Sequence, residues 1–284
     1  MFEPIIYWSD LSTSPPALKK RHDPISIFVD TFRTNQSGPD DKNIKYKIYI
    51  QFEPPAIVSS TPLIRNHKQF DLILCTDPEI LNMCDNAKRY VCGGCWIDFH
   101  NLKLEKQEEI SLLISSKSWT SGHLFRHMVW EHLAHKTKID KFKTNFIKSP
   151  WGGQPDAKMI PDAKDRIWKN AMFSICMENS RCENFMTERV MEAFLTKTFP
   201  IYYGAPNIGE FFNTEGLFQF KTIGELDKIL NNLSPELYYE SIDAINDNYN
   251  RALEFKTYLI GSLHGDNPNK RLEKEIDLFL ASKN

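Results

Sequence analysis

The chain has 284 residues, 41% of them apolar and 25% charged, with a formal net charge of −2 at pH 7. That length suits two domains with sizeable cores. The near-neutral balance excludes a global polyanion binder, so no nucleic-acid partner is expected and any phosphate contact must come from locally placed Arg and Lys. Six cysteines in a chain of this length do not make a disulfide scaffold. No apolar run approaches the roughly 18 residues of a membrane span, and MFEPIIYWSD lacks the basic region and apolar run of a secretion signal. The reading is a soluble, cytoplasmic protein.

In chain order, the first hundred residues alternate short β-like runs with polar connections. PIIYW, ISIFV, YKIYIQF, FDLILC and RYVC are rich in Ile, Val, Tyr and Phe and are bounded by Pro, Asp or Asn. Continuous apolar runs of this kind suit strands covered on both faces, as in a parallel sheet. The pattern fades through NLKLEKQEE, which sets an expected domain boundary near residue 105. EISLLISS then reads as a buried strand, and SGHLFRHMVWEHLAHK as a helix with Ser121 as N-cap and Leu124, Met128 and Trp130 to Leu133 on helical spacing. A basic, glycine-bearing connection, including KSPWGGQP, runs from Lys136 to Ile160. AMFSICM, FPIYYG and LFQF read as strands, VMEAFLTK as a helix, and TIGELDKILNNL and PELYYESIDAINDNYNRALEF as two more helices. Strands alternating with helices argue for an α/β domain with a parallel sheet. The C-terminal NKRLEKEIDLFLAS is an amphipathic helix with three open placements: on the first domain, on a membrane surface, or on a partner.

The stretch ENSRCENFMTER, residues 178–189, falls between the strand AMFSICM and the helix VMEAF. In open α/β sheets ligands sit beyond the carboxyl ends of strands, where the next helix begins. Asn184 or Thr187 can cap that helix, with Glu188 and Arg189 in its first turn. Free N–H groups and the helix dipole favour an anion such as phosphate, Arg189 adds a charge-assisted contact, and Glu188 can accept from vicinal hydroxyls. The structural alternative pairs Arg189 with Glu192 on the helix surface.

Other chemistry-bearing residues stay open at this level. Cys92 and Cys95 in CGGC have the spacing of half a zinc site or a redox pair, but the remaining cysteines form no second close pair; buried free thiols are the expectation. His123 and His127 share a helical face and His132 is close by, without the Glu of a metalloprotease motif, so no metal site is expected. No GxGxxG follows any predicted strand, which disfavours a dinucleotide oxidoreductase.

Read together, CMENS, FMTER, VMEAFLTKT and FPIYYGAPNI resemble the donor-binding half of the family 10 glycosyltransferases, the α-1,3/4-fucosyltransferases of bacterial or viral type. Their pattern runs apolar strand, F-E-N, Y-hydrophobic-T-E-K, helix, P-hydrophobic-Y-hydrophobic-G, and the likeness is strongest over residues 171–220. It implies two Rossmann-like α/β domains facing each other across a cleft, the GT-B architecture. The expected layout is a small acceptor-side domain over residues 1–105, a nucleotide-sugar domain over 106–262 and a C-terminal amphipathic helix over 263–284. It also implies an inverting transferase that moves a sugar, L-fucose from GDP-fucose in the leading reading, onto a hydroxyl of a glycan acceptor with no cofactor required. By the same resemblance Glu188 lies at the nucleotide and Arg189 at its phosphates. Asn179 and Phe185 fall in the donor-site motifs, and Arg126, seven residues before Leu133, contacts the pyrophosphate; His123 is placed in the donor cleft by its position just before Arg126. Two positions depart from the pattern: Arg189 stands where the family has Lys, which changes hydrogen-bond geometry, and Phe185 where it has Tyr. Another nucleotide sugar, such as UDP-xylose or a GDP-hexose, and an inactive nucleotide- or glycan-binding relative are the alternatives. An inverting transferase needs a base for the acceptor hydroxyl. In bacterial members of the family that carboxylate follows a strand of the N-terminal domain. By this resemblance Glu53, at the end of YKIYIQFE, ahead of Pro54–Pro55 and of the FD-containing FDLILC, is the candidate, with Asp77 and Glu79 in reserve.

Overall fold

A computed structural model describes residues 1–2, 4–8, 18–31, 44–136, 138–139, 141–149, 163–257 and 269–283. Most of the basic connection around KSPWGGQP lies outside them. The chain divides into two compact units: Met1–Cys92 with Cys182–Phe185 and Thr257–Asn284, and Gly93–Arg181 with Met186–Lys256. The contact boundary therefore precedes the expected one near residue 105, and the C-terminal helix is part of the first unit.

The first unit is built on a five-stranded sheet in the order β1-β2-β3-β4-β5, formed by Ile5–Trp8, Ile25–Val29, Tyr46–Ile50, Leu72–Cys75 and Ala87–Arg89. Each neighbouring pair is parallel. The strands are apolar throughout because each face has its own cover. Ile25, Ile27, Val29, Ile48, Ile50, Leu72 and Leu74 cluster with Leu272 and Ile276 of the C-terminal helix, Lys270–Ala281 (α9 in chain order). Phe28, Tyr49, Ile73 and Cys75 pack with Leu63 and Ile80, which come from α1 (Ser60–Asn66) and α2 (Pro78–Met83). The fifth strand comes a little earlier than RYVC suggested. It is a sheet edge, so Lys88 and Arg89 stay exposed while Tyr90 and Cys92 just beyond it enter the core.

Ion pairs complete the seat of α9. Buried Arg21 bonds to Glu273 and reaches Asp277 at 3.3 Å, and Lys88 pairs with Glu275 at 2.5 Å. Of the three placements open to this helix, the sheet of the first unit is the one observed.

The second unit carries a six-stranded sheet in the order β11-β10-β9-β6-β8-β7: Gln107–Ser115 (β6), Lys138–Ile139 (β7), Phe142–Ser149 (β8), Ala171–Met177 (β9), Phe199–Tyr203 (β10) and Phe218–Gln219 (β11). All pairs are parallel except β7 with β8. Its helices are α3 (Ser121–Leu133), α4 (Ala163–Lys169), α5 (Glu188–Leu195), α6 (Ile223–Leu230), α7 (Pro235–Glu240) and α8 (Ile242–Ala252). The long run expected as one helix breaks at Ser241 into α7 and α8. β6 lies between β8 on one side and β9 on the other, so the winding reverses there. At such a point open α/β sheets leave a crevice beyond the carboxyl ends of their strands, here β6 and β9.

Leu272 is fully buried between α9 and the first sheet. Leu272→Ala is expected to cost about 3 kcal/mol, read as a lowered urea midpoint. A loss below about 1 kcal/mol would contradict this packing.

Candidate functional site

The residues that matter converge at that reversal in the second unit. β6 delivers Ser115, buried at its carboxyl end. The chain then enters α3, whose N-cap is Thr120 rather than Ser121: the Thr120 hydroxyl accepts from the His123 N–H. The same hydroxyl donates to the Asn179 carbonyl, tying α3 to the loop after β9. Gly122 makes this approach feasible, since a Cβ there would sit 2.3 Å from the Asn179 oxygen and 2.9 Å from that of Glu178.

The first half of α3 departs from the sequence expectation, while Leu133 is buried and Trp130 packs against the core as expected. Leu124 and Met128 are 54% and 56% exposed, whereas His123 and Arg126 are each 3% exposed. The physical reason lies on the other side of α3: its inward face near the N-terminus meets the polar crevice, while its apolar contribution to the sheet comes from Val129 and Leu133. Burial and the neighbouring Arg189 charge pull the Arg126 guanidinium well below its ordinary value, against the pull of Glu178, Glu188 and Tyr203. Its Nε has no hydrogen-bond partner among the described residues, and the same holds for Ser115 Oγ, Asn179 Oδ1 and Ser180 Oγ. Buried polar atoms are normally satisfied; the Arg126 Nε and these three others belong to α3, the end of β6 and the loop after β9, the elements that meet at the reversal.

His123 stays uncharged. Its Nδ1 lies 2.8 Å from Thr120 Oγ1; that hydroxyl spends its proton on Asn179, so Nδ1 is the donor and Nε2 keeps the lone pair. Burial, followed by the charges of Arg126 and Arg189, brings its pKa down to about 3.

β9 delivers Glu178, fully buried and not anticipated as a site residue. Its two oxygens accept from the Thr187 N–H at 2.9 Å and hydroxyl at 2.7 Å, with the Tyr202 hydroxyl at 3.5 Å. Thr187 in turn caps α5 by accepting from the Arg189 N–H. The signal was present as the Glu before Asn179, but only the fold shows that this carboxylate pins the helix start. Burial pushes its pKa up to about 7, opposed by the two bonds from Thr187.

Glu188 and Arg189 open α5. Burial acts to raise the Glu188 carboxyl, but Lys164 and Arg189 outweigh it and hold the group below its usual range. Lys164 sits 4.0 Å from Glu188 and 2.8 Å from Glu192. Glu192 also accepts from Trp168 Nε1 at 2.9 Å and from the Trp96 N–H at 2.8 Å. Glu192 is thus committed to Lys164 and the two tryptophans, and Arg189 instead donates to the Leu113 carbonyl at 3.2 Å. The surface Arg189–Glu192 pair is not formed.

His123, Arg126, Asn179, Glu188 and Arg189 are therefore gathered in the second unit. Phe185 and Glu53 belong to the first. Phe185 is buried in the short segment Cys182–Phe185, where left-handed Asn184 donates to the Thr76 carbonyl at 3.0 Å. Asp77 caps α2 and is buried against Ser60.

The CGGC segment turns on its two glycines. Gly93 and Gly94 have positive φ, Gly93 bridges Thr187, and Gly94 donates to the Phe255 carbonyl at 2.9 Å. Cys92 and Cys95 are free, buried thiols with pKa values raised by burial. No group of three or more His, Cys, Asp or Glu that could hold a metal occurs among the described residues.

Two parallel-sheet α/β units, with a cationic centre at the reversal point of the second, define the GT-B glycosyltransferase class of fold. Crystal structures of an α1,3-fucosyltransferase have that fold: the one with GDP-fucose matches at a TM-score of 0.52 and 14% identity, over 90% of this chain and 77% of that one. A further crystal structure of an α1,3-fucosyltransferase matches at 0.51, again with 14% identity, over 91% and 77%. Residues 104–242, just under half of the chain, match the family model "Glycosyltransferase family 10 (fucosyltransferase) C-term". The α-(1,3)-fucosyltransferase FucT of Helicobacter pylori is 22% identical over 102 residues, which are 35% of this chain but 21% of that protein's length. No helix among the described residues is long and apolar enough to cross a membrane.

Between about pH 4.5 and 7 the folded chain keeps a proton on Glu178 that the unfolded chain has released. Stability therefore falls as pH rises through this window, and a cost of roughly 3 kcal/mol is fully present above it. Glu178→Gln can retain both contacts to Thr187, with the hydroxyl contact reversed, and is expected to flatten this slope in urea titrations at pH 4.5 to 7.5. An unchanged slope would contradict the assignment.

Proposed function

We propose that the chain is an inverting glycosyltransferase that moves L-fucose from GDP-fucose onto a hydroxyl of a glycan acceptor. The observation that carries this reading is the buried Arg126 with its unpartnered Nε, beside Arg189 and the start of α5. It falls within the segment that matches a fucosyltransferase family model. A diphosphate supplies the anionic oxygens that this centre lacks.

In the proposed step Glu53 takes the proton of the acceptor hydroxyl. The hydroxyl oxygen attacks the anomeric carbon from the face opposite the nucleotide, the bond from that carbon to the diphosphate oxygen breaks, and GDP leaves with the electron pair. Arg126, Arg189 and the first N–H groups of α5 stabilise the charge growing on the diphosphate. Glu188, held ionised by Lys164 and Arg189, accepts from the ribose hydroxyls. Asn179 Oδ1 and the uncharged His123 complete the lining, and Phe185 takes the place of the family's tyrosine.

The second reading keeps the chemistry and changes the donor to another nucleotide sugar, such as UDP-xylose or GDP-mannose. The two departures from the family pattern, Arg189 and Phe185, favour it. A thermal-shift panel of GDP-fucose, GDP, GDP-mannose and UDP-xylose separates the readings, because a ligand at 100 times its Kd adds about 2.7 kcal/mol of stability. The expected result is a clear rise in Tm with GDP-fucose and GDP. A rise with UDP-xylose alone would overturn the donor assignment.

A further inference from the structure

The turn that carries Glu53 is held by a side chain from the neighbouring strand. Asp30 follows β2 directly and adopts a left-handed φ of +50°. For a residue with a side chain that conformation is uncommon, and Asn and Asp tolerate it best. Its own N–H donates to the Ile50 carbonyl at 3.1 Å, which fixes it beside the end of β3. From there its carboxylate spans two consecutive amides: Oδ1 accepts from the Phe52 N–H and Oδ2 from the Glu53 N–H, each at 2.9 Å. On the opposite side Gln51 N–H donates to the Leu74 carbonyl at 2.8 Å. Pro54 and Pro55 follow and bring no further N–H, so Glu53 provides the last amide of the strand end.

We propose that Asp30 is the positioning residue for Glu53: by binding both amides of the turn it sets where the Glu53 carboxylate meets the acceptor hydroxyl. This rests on the reading of Glu53 as the base. The two carboxyl groups sense each other, since burial raises the pKa of Asp30 to about 8, against its two amide bonds, and the Glu53 charge adds to the rise. Tyr49 and Cys92 are the other titratable groups coupled to it.

Asp30→Asn tolerates the left-handed backbone but turns one acceptor oxygen into an NH₂ group, which frees one of the two amides. Asp30→Gly relaxes the backbone and frees both. The assay is GDP release from GDP-fucose, with water and with N-acetyllactosamine as acceptors, alongside GDP binding by calorimetry. Expected is an ordered fall in kcat from wild type through Asp30→Asn to Asp30→Gly, of about tenfold to a hundredfold for small displacements of a reacting group. GDP affinity should stay within about twofold, and KM for GDP-fucose nearly unchanged. The double variant Asp30→Asn/Glu53→Gln should be no slower than Glu53→Gln alone, because Asp30 acts through Glu53. If kcat survives in both Asp30 variants, or the double variant falls well below Glu53→Gln, the positioning role is overturned while the base stands. If Glu53→Gln retains wild-type turnover, or the wild type releases no GDP with either acceptor, the reading of Glu53 falls first and this proposal with it.

Discussion

A buried guanidinium organises the second unit. Placing Arg126 inside costs desolvation that mutual attraction must offset, and Arg189 beside it adds like-charge repulsion. Glu188, held ionised, supplies the opposing charge, and Glu178 adds to it once it has released its proton. The approach of α3 to the Asn179 backbone constrains the rest. It needs a residue without Cβ at Gly122 and a hydroxyl at Thr120 that can accept from the helix and donate to the loop. Sites that bind anions carry this kind of stored electrostatic cost, because a structure optimised only for stability would not keep orphaned buried donors.

Glu178 is the second organising element, and it works through position rather than through the ligand. It leaves β9, touches Tyr202 of β10 and holds both polar groups of Thr187. The cap of α5 is thereby keyed to the sheet, and the direction of its N–H groups follows. On the far side of the helix Lys164 bonds Glu192 and faces Glu188. The charged pair at the helix start is thus set by two buried contacts, one at the cap and one along the helix.

Much of this was legible in the sequence. The parallel sheets could be read because strands covered on both faces must be apolar at every position, as ISIFV and AMFSICM are. ENSRCENFMTER could be placed at a strand-to-helix junction by the same logic. The face of α3 could not. Leu124 and Met128 at four-residue spacing look like core, yet they are exposed, because the inward side near the helix start serves the polar crevice. Local sequence logic does not explain the residues RCEN in the middle of that stretch. Cys182 to Asn184 belong to the first unit, where Asn184 donates to the Thr76 carbonyl, a contact 108 residues apart in sequence, while Arg181 stays with the second. Asp30 was hidden for the same reason: a lone carboxylate after a strand gains meaning only when the next strand end lies beside it. The CGGC segment, ambiguous between ligand and core, proved to need glycine for backbone geometry and cysteine for burial.

Stability and ligand binding should part company at Arg126, and calorimetric titration of GDP into the wild type and Arg126→Met, with the melting temperature of each ligand-free protein, tests the account most directly. Methionine fills similar space without charge, so the variant should be as stable as the wild type or more so, while GDP affinity falls about thirtyfold or more, as when a buried charge contact is cut. A variant that melts well below the wild type yet binds GDP with unchanged affinity would show that Arg126 is a structural cation and that the diphosphate is held elsewhere.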